Sequence, residues 1–214
     1  QAAPARALDL GCGGGHVAYL LARHAARVVA VDLSADMLAA VAETAKGKGL
    51  SNIETHRASV ERLPFADANF DCIVTRYSAH HWLDFEGGLR EARRVAKPGS
   101  PAIFMDVFAP GVPLLDTHLQ SLELLRDTSH VRNYTLAEWS DALARAGFVL
   151  RSARTWRLHL EFASWIARMR TPEVLVAAIL ALQTGAPREV RDHFAIAADG
   201  SFTIDTMMLE TVAG

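Results

Sequence analysis

The chain has 214 residues, enough for one domain with a sizeable core and a small insertion. Half of its residues are hydrophobic, 21% are charged and the net charge is −2, an ordinary balance for a soluble globular protein and no electrostatic invitation to nucleic acid. No apolar run approaches the ~20 residues of a membrane span, and two cysteines, Cys12 and Cys72, are too few for a disulfide framework and fit a reducing cytoplasm.

The sequence opens at Gln1, without methionine and almost directly on a strand, which reads as a trimmed start, so that any upstream lid would lie outside the sequence; no signal-peptide pattern is found. The first hundred residues alternate strand and helix signals. "ARALDLG" (5–11) is an apolar run closed by glycine, and "HVAYLLARHA" (16–25) has helical spacing. "RVVAVD" (27–32) is a continuous Val-rich run of the kind buried on both faces. Ser34 stands at an N-cap before a helix over 35–46 that Gly47 closes. "NIETHRAS" (52–59) is a weaker strand and "FDCIVTRY" (70–77) a fourth. Asp84 caps a predicted helix over 85–96, and Lys97-Pro98-Gly99 turns into a fifth strand, "PAIFMDVF" (101–108). This alternation predicts an α/β fold, a parallel sheet with helices on both faces. Thr135 and Glu138 form a capping-box pattern before a helix that Gly147 terminates. A long strand over 148–162, helical patterns over 163–194 broken at Pro172 and Pro187, and a last strand over 201–212 complete the chain. The domain organisation expected is one domain, with a cofactor-binding half over 1–110 and a helical insertion over 163–194 placed to cap a substrate.

"LDLGCGGGH" (8–16) joins the first strand to the first helix. Glycines there let the chain turn sharply and let a ligand approach main-chain N–H groups at a helix start. A dinucleotide fingerprint is G-x-G-x-x-G, but counting from Gly11 puts His16 where the third glycine belongs. What is present is Asp9, Gly11, Gly13 and Gly15 in alternation. A carboxylate ahead of the loop suits an ammonium group and repels a pyrophosphate. Asp32 ends the second strand, where an acidic side chain can accept hydrogen bonds from both ribose hydroxyls of a nucleoside.

"ALDLGCGGGHVAYLLA", "VVAVDLSADMLAAV", "VERLPFADANFDCIVTRYSAHHW" and "LREARRVAKPG" resemble the successive motifs of class I S-adenosylmethionine-dependent methyltransferases, of the small-molecule branch that includes the ubiquinone/menaquinone-biosynthesis enzymes. The resemblance covers residues 7 to about 108; beyond residue 113 only a loose likeness to bacterial members remains. It implies a Rossmann-like three-layer sandwich with a seven-stranded, mostly parallel sheet in the order 3-2-1-4-5-7-6, strand 7 antiparallel. It implies S-adenosyl-L-methionine as cofactor, S-adenosyl-L-homocysteine as product, and a small-molecule methyl acceptor. By the same resemblance, Gly11, Cys12 and Gly13 pack on the methionine part, with Asp9 near its amino group. Asp32 takes the ribose, and Leu33 and Met37 flank the adenine. Ser59 and Val60 stand where the family often has an Asp-Ala pair for the adenine amino group, and Arg76 lies over the methyl-donor end. In this topology Cys12 ends strand one and Cys72 starts strand four, too far apart to bond, so both are read as packing residues.

Methyl transfer from a sulfonium is an in-line displacement that needs orientation, and a base only when the acceptor holds its proton tightly. Ligands of open α/β sheets bind beyond the carboxyl ends of the strands, which puts residues 76–82 and 106–110 beside the methyl. His80 and His81 are therefore candidates for a general base or for positioning the acceptor. As scaffold, one would pack and the other be solvated. As metal ligands they lack a third ligand at motif spacing, and no metal is assigned. Tyr77 and Trp82 are candidate acceptor contacts. In "TSHVRNY" (128–134), His130, Arg132 and Tyr134 either reach over the pocket or form a solvated connection. Trp165 and Met169, at i, i+4, form an apolar stripe that reads as core or as a substrate roof. The acceptor expected is small and apolar or aromatic. The Asn/Asp-Pro-Pro-aromatic motif of amino-group DNA methyltransferases is absent, since "TRYSAH" stands after strand four. Two alternatives remain: a protein that holds the cofactor without transferring its methyl, and a nicotinamide-dependent oxidoreductase, against which His16 and Asp9 speak.

Overall fold

The computed structural model describes residues 4–214, so the chain start at Gln1 lies outside the described residues. Seven strands, β1 (Arg6–Leu10), β2 (Arg27–Asp32), β3 (Ile53–Arg57), β4 (Cys72–Arg76), β5 (Pro101–Val107), β6 (Phe148–Leu160) and β7 (Phe202–Ala213), form one sheet. Their order is β3-β2-β1-β4-β5-β7-β6, with the last strand in sequence antiparallel, as the family resemblance implies. The parallel pairs are in close register: Asp9 lies level with Ala30 on β2 and with Val74 on β4. Cys72 is level with Ala7, so Cys12 lies roughly five residues, or ~16 Å of strand, further on. Both thiols are free and buried.

The chain divides into two compact units. The first takes the sequence through Asp106, then Ala137–Arg154 and Met208–Gly214. Its strands are as apolar as their sequence requires. Val28, Val29, Ala30 and Val31 are all fully buried, and each valine contributes roughly 1.5–3 kcal/mol of burial. Helix α1 (His16–Leu21) is shorter than the 16–25 pattern suggests, ending in tight turns at Ala22–Ala25 where Asn52 Nδ2 donates to the Ala22 and Ala25 carbonyls. Helix α2 (Ala35–Gly47) starts at Ser34, whose Oγ accepts from Met37 N at 3.2 Å. Helix α3 (Phe85–Val95) starts at Asp84, whose carboxylate accepts from Gly87 N at 2.8 Å.

The second unit comprises residues 107–136 and 155–207. Residues 113–126, given no element from sequence, form helix α4 (Pro113–Arg126). Proline at the first helical position presets the backbone, and Leu115, Leu119 and Leu122 bury one face at helical spacing. Helix α5 (Leu136–Ala146) belongs largely to the first unit. The segment 163–194 resolves into α6 (Phe162–Met169), α7 (Glu173–Thr184) and α8 (Arg188–Phe194), divided at Pro172 and Pro187 as read from sequence. The strand predicted to reach residue 162 stops at Leu160 because Glu161 caps α6, accepting from Ala163 N and Ser164 N at 3.0 and 2.7 Å.

Candidate functional site

The loop from β1 to α1 carries three glycines with left-handed backbone, Gly11 (φ 71°), Gly13 (φ 46°) and Gly15 (φ 77°), a conformation that L side chains rarely adopt. They serve different ends. A Cβ on Gly15 would meet Tyr19 and Val41 at 2.8–2.9 Å, and one on Gly11 would meet Ser78 Cβ at 2.7 Å. A Cβ on Gly13 would meet nothing within 4 Å: the middle of the loop faces open space. The loop is fastened to β2 at two points, Cys12 N to the Val31 carbonyl and Gly13 N to Asp32 Oδ2, each at 2.8 Å.

Asp32 also accepts from Ser34 N through Oδ1 at 2.9 Å. A carboxylate has about four acceptor directions, so roughly two stay available to a pair of hydroxyls. Next to it, Leu33 and Met37 are 65% and 47% exposed, an apolar lip beside an acidic strand end. Asp9, by contrast, is buried, and its Oδ2 accepts from Ala18 N at 2.8 Å, tying β1 to α1. Burial is the main reason its carboxyl is pushed up to about 7; the Ala18 N–H and Arg76 pull it down, and Asp32 adds to the rise. Burial, with Asp9 and Asp32 nearby, likewise holds the Cys12 thiol far above its usual range, so Cys12 is an inert packing residue. After β3, Val60 is buried and the Ser59 hydroxyl donates to Glu61, whose own N–H returns to Ser59 Oγ at 3.2 Å. Glu61 then reaches across to accept from Leu83 N at 3.0 Å.

After β4 the chain reverses sharply. Arg76 is exposed, with its guanidinium 4.7 Å from the Tyr77 ring. Tyr77 holds φ 51°, strained for a bulky side chain, and its N–H donates to the Met105 carbonyl at 2.8 Å. A 3₁₀ turn over Ala79–His81 follows. Asp106, on β5 and buried, holds that turn with both oxygens: Oδ2 accepts from Ala79 N at 3.0 Å and Oδ1 pairs with His80 Nδ1 at 2.6 Å. A carboxylate can only accept, so the Nδ1–H of His80 donates to Asp106. The His81 ring lies 4.2 Å from that of His80. Trp82 is buried against α3, its indole Nε1 donating to Ser78 Oγ at 3.1 Å. The sequence pattern points to this segment but not to Asp106, Ser78 and Glu61 as its partners.

In the second unit, "TSHVRNY" is a fastened strap along α4. Gln120 accepts from His130 and from Asn133 N at 2.8 and 3.0 Å, and it donates to the Asn133 carbonyl at 2.8 Å. Arg132 pairs with Asp116 at 3.2 Å and lies 5.9 Å from the Tyr134 ring. Trp165 is core, edge-on to Phe202 at 4.9 Å and under the Arg126 guanidinium, whereas Met169 is exposed at the helix end, so the face they share is buried only at the tryptophan. No group of three His, Cys, Asp or Glu side chains among the described residues could hold a metal ion.

Residues 8–104 match the family model described as a methyltransferase domain. An uncharacterized protein of Escherichia coli, YafE, is 49% identical over 92% of this chain and 95% of its own length. An uncharacterized methyltransferase of Bacillus subtilis, YcgJ, is 35% identical over 89% of this chain and 76% of its own. The crystal structure of YcgJ superposes with a TM-score of 0.92 over 97% of this chain and 91% of that one, at 32% identity. The ubiquinone/menaquinone biosynthesis C-methyltransferase UbiE of Francisella tularensis is 35% identical over 50% of this chain, reaching 45% of its own length.

Proposed function

Since the chain belongs to the S-adenosylmethionine-dependent methyltransferase family, we propose that it methylates a small apolar or aromatic acceptor, with the β1–β2 end binding the cofactor and His80 as general base. The observation that carries the reading is the open, left-handed glycine loop tied by Gly13 N to the carboxylate of Asp32. Asp32, with about two acceptor directions to spare, takes the ribose hydroxyls. Leu33 and Met37 supply apolar contact to the adenine, and Gly11, Cys12 and Gly13 present backbone to the methionine portion. Buried Asp9 favours an ammonium group nearby, which would stabilise its ionised form. Ser59 hydrogen-bonds Glu61 and Val60 is buried, so this corner supports adenine by shape more than by charge.

When bound, S-adenosylmethionine supplies an electrophilic methyl whose in-line transfer discharges the sulfonium. His80 takes the acceptor's proton through Nε2, and Asp106 holds the ring in that tautomer and stabilises the imidazolium that forms. Arg76 and Tyr77 frame the donor end, and His81 packs on His80. Calorimetry with S-adenosylmethionine, S-adenosylhomocysteine and NAD tests the reading: the first two bind and NAD does not. Tight NAD binding without the others would sink it. A metabolite screen for methyl incorporation from labelled cofactor then identifies the acceptor.

A further inference from the structure

The segment 77–84 carries His80, and fixed contacts hold it at both ends. At its far end the Glu61 carboxylate accepts from Leu83 N and Asp84 N at 3.0 and 3.4 Å. At its near end Ser78 lies against the glycine loop so closely that Gly11 has no room for a side chain; a Cβ there would collide with the Ser78 hydroxyl and stand 2.7 Å from its Cβ. The same hydroxyl oxygen accepts from the Trp82 indole N–H at 3.1 Å. The indole is itself wedged on Gly88 of α3, where a Cβ would lie 2.5–2.8 Å from its ring. Ser78 directly follows Tyr77, whose left-handed backbone is a strained conformation that persists where the surroundings enforce it.

We propose that Ser78 is a positioning residue that sets the separation of the glycine loop from the turn bearing His80, and that it passes a displacement of the loop on to Trp82. Interiors are close-packed and transmit strain, so a loop with no gap to Ser78 cannot shift without moving it. The Ser78–Trp82 hydrogen bond converts that movement into a change at an indole N–H. The inference rests on the glycine loop being the cofactor site. It differs from the role of Asp106, which fixes the ring of His80 and not the distance of its turn from the loop.

The chain has four tryptophans, so the test is a titration of their indole N–H resonances with S-adenosylhomocysteine, Trp82 being assigned by its loss in Trp82→Phe. In the wild type the Trp82 resonance is expected to shift on saturation. In Ser78→Ala, calorimetry should give a dissociation constant within about threefold of the wild type while the shift at Trp82 is lost. Ser78→Cys keeps the side-chain size with a weaker acceptor and should give an intermediate shift; it carries the test should the alanine variant fail to fold. An undiminished Trp82 shift in the variants overturns the inference, as does a wild-type Trp82 signal that ignores bound S-adenosylhomocysteine. Absence of binding to the wild type would overturn the cofactor reading first, and this inference with it.

Discussion

The carboxyl ends of β1 and β2 and those of β4 and β5 lie along the same edge of the sheet yet are built from different materials. The β1–β2 end is made of backbone: three left-handed glycines, main-chain N–H groups and one carboxylate bonded to two of them. The β4–β5 end is made of contacts that side chains provide, two of them long-range in sequence and one local. His80 meets Asp106, the Trp82 indole meets Ser78, and Glu61 meets the N–H groups of Leu83 and Asp84. Backbone geometry of the first kind suits the nucleoside proposed for it, which is common to every ligand of that class. The second kind can be retuned one side chain at a time, as suits the acceptor-facing role proposed for it.

The largest effect expected falls on the backbone-built end, at Asp9. Its carboxyl titrates near 3.8 when unfolded and is pushed up to about 7 in the fold, chiefly by burial. Between those values the folded state holds the extra proton, so stability is lost as pH rises from about 4 to about 7 and the loss is complete above 7. The span corresponds to a few kcal/mol, on the order of 4. Asp9→Asn keeps an acceptor for Ala18 N and removes the ionisation. Its melting temperature should therefore exceed that of the wild type at pH 8, with the difference vanishing near pH 4. Equal melting curves across that range would mean that Asp9 is ionised without penalty.

Asp32→Ala comes next. It removes the acceptor of Gly13 N and, with it, the one proposed for the ribose hydroxyls, and should weaken S-adenosylhomocysteine binding by ~2–3 kcal/mol, roughly 30- to 150-fold. An unchanged dissociation constant by calorimetry would refute the ribose assignment.

The contrast between the two ends also explains what could be read from sequence. The glycine alternation, the acidic end of the second strand and the caps Ser34 and Asp84 are local patterns whose chemistry is dictated within a few residues, and the structure has both caps. The sheet order followed from family resemblance, and the elements through residue 108 from alternation of strand and helix periods. Asp106 was legible as a residue at the end of the fifth strand, beside the expected methyl, but not as the partner of His80, which lies 26 residues away and meets it through strand pairing. Glu61 was hidden by its 22-residue separation from Leu83, and Ser78, only four residues from Trp82, because no local pattern marks an irregular turn that brings the two together. Helix α4 was missed although Leu115, Leu119 and Leu122 have helical spacing, since polar residues among them blurred the period. Trp165 and Met169 were read as one stripe, but α6 ends at Met169 and Arg170 turns left-handed (φ 52°), so only the tryptophan is buried.

At the side-chain-built end, Asp106→Asn should leave S-adenosylhomocysteine affinity within about twofold while lowering methyl transfer by roughly 10- to 100-fold, part of the ~10²–10⁴-fold that a general base contributes, because Asp106 acts only through His80. The amide can turn its NH₂ toward His80, so nitrogen-15 spectra should show the Nδ1–H tautomer of the wild type giving way to Nε2–H. Loss of cofactor affinity instead would mean that the two ends are not separable at this residue.

The smallest effect, and the sharpest division of the two ends, is expected at Glu61→Gln. The amide oxygen still accepts from Leu83 N, but the NH₂ cannot accept the Ser59 hydroxyl, so one charge-assisted bond is lost. The variant should be destabilised by about 1 kcal/mol, and amide exchange at Leu83 and Asp84 should quicken. Cofactor affinity should hold, because the Gly13–Asp32 link is untouched. If affinity falls along with that protection, Glu61 couples the adenine corner to the 77–84 segment and the β1–β2 end is not self-sufficient. If exchange does not change, the far end of that segment is held by packing alone, with Trp82 wedged on Gly88 as its anchor.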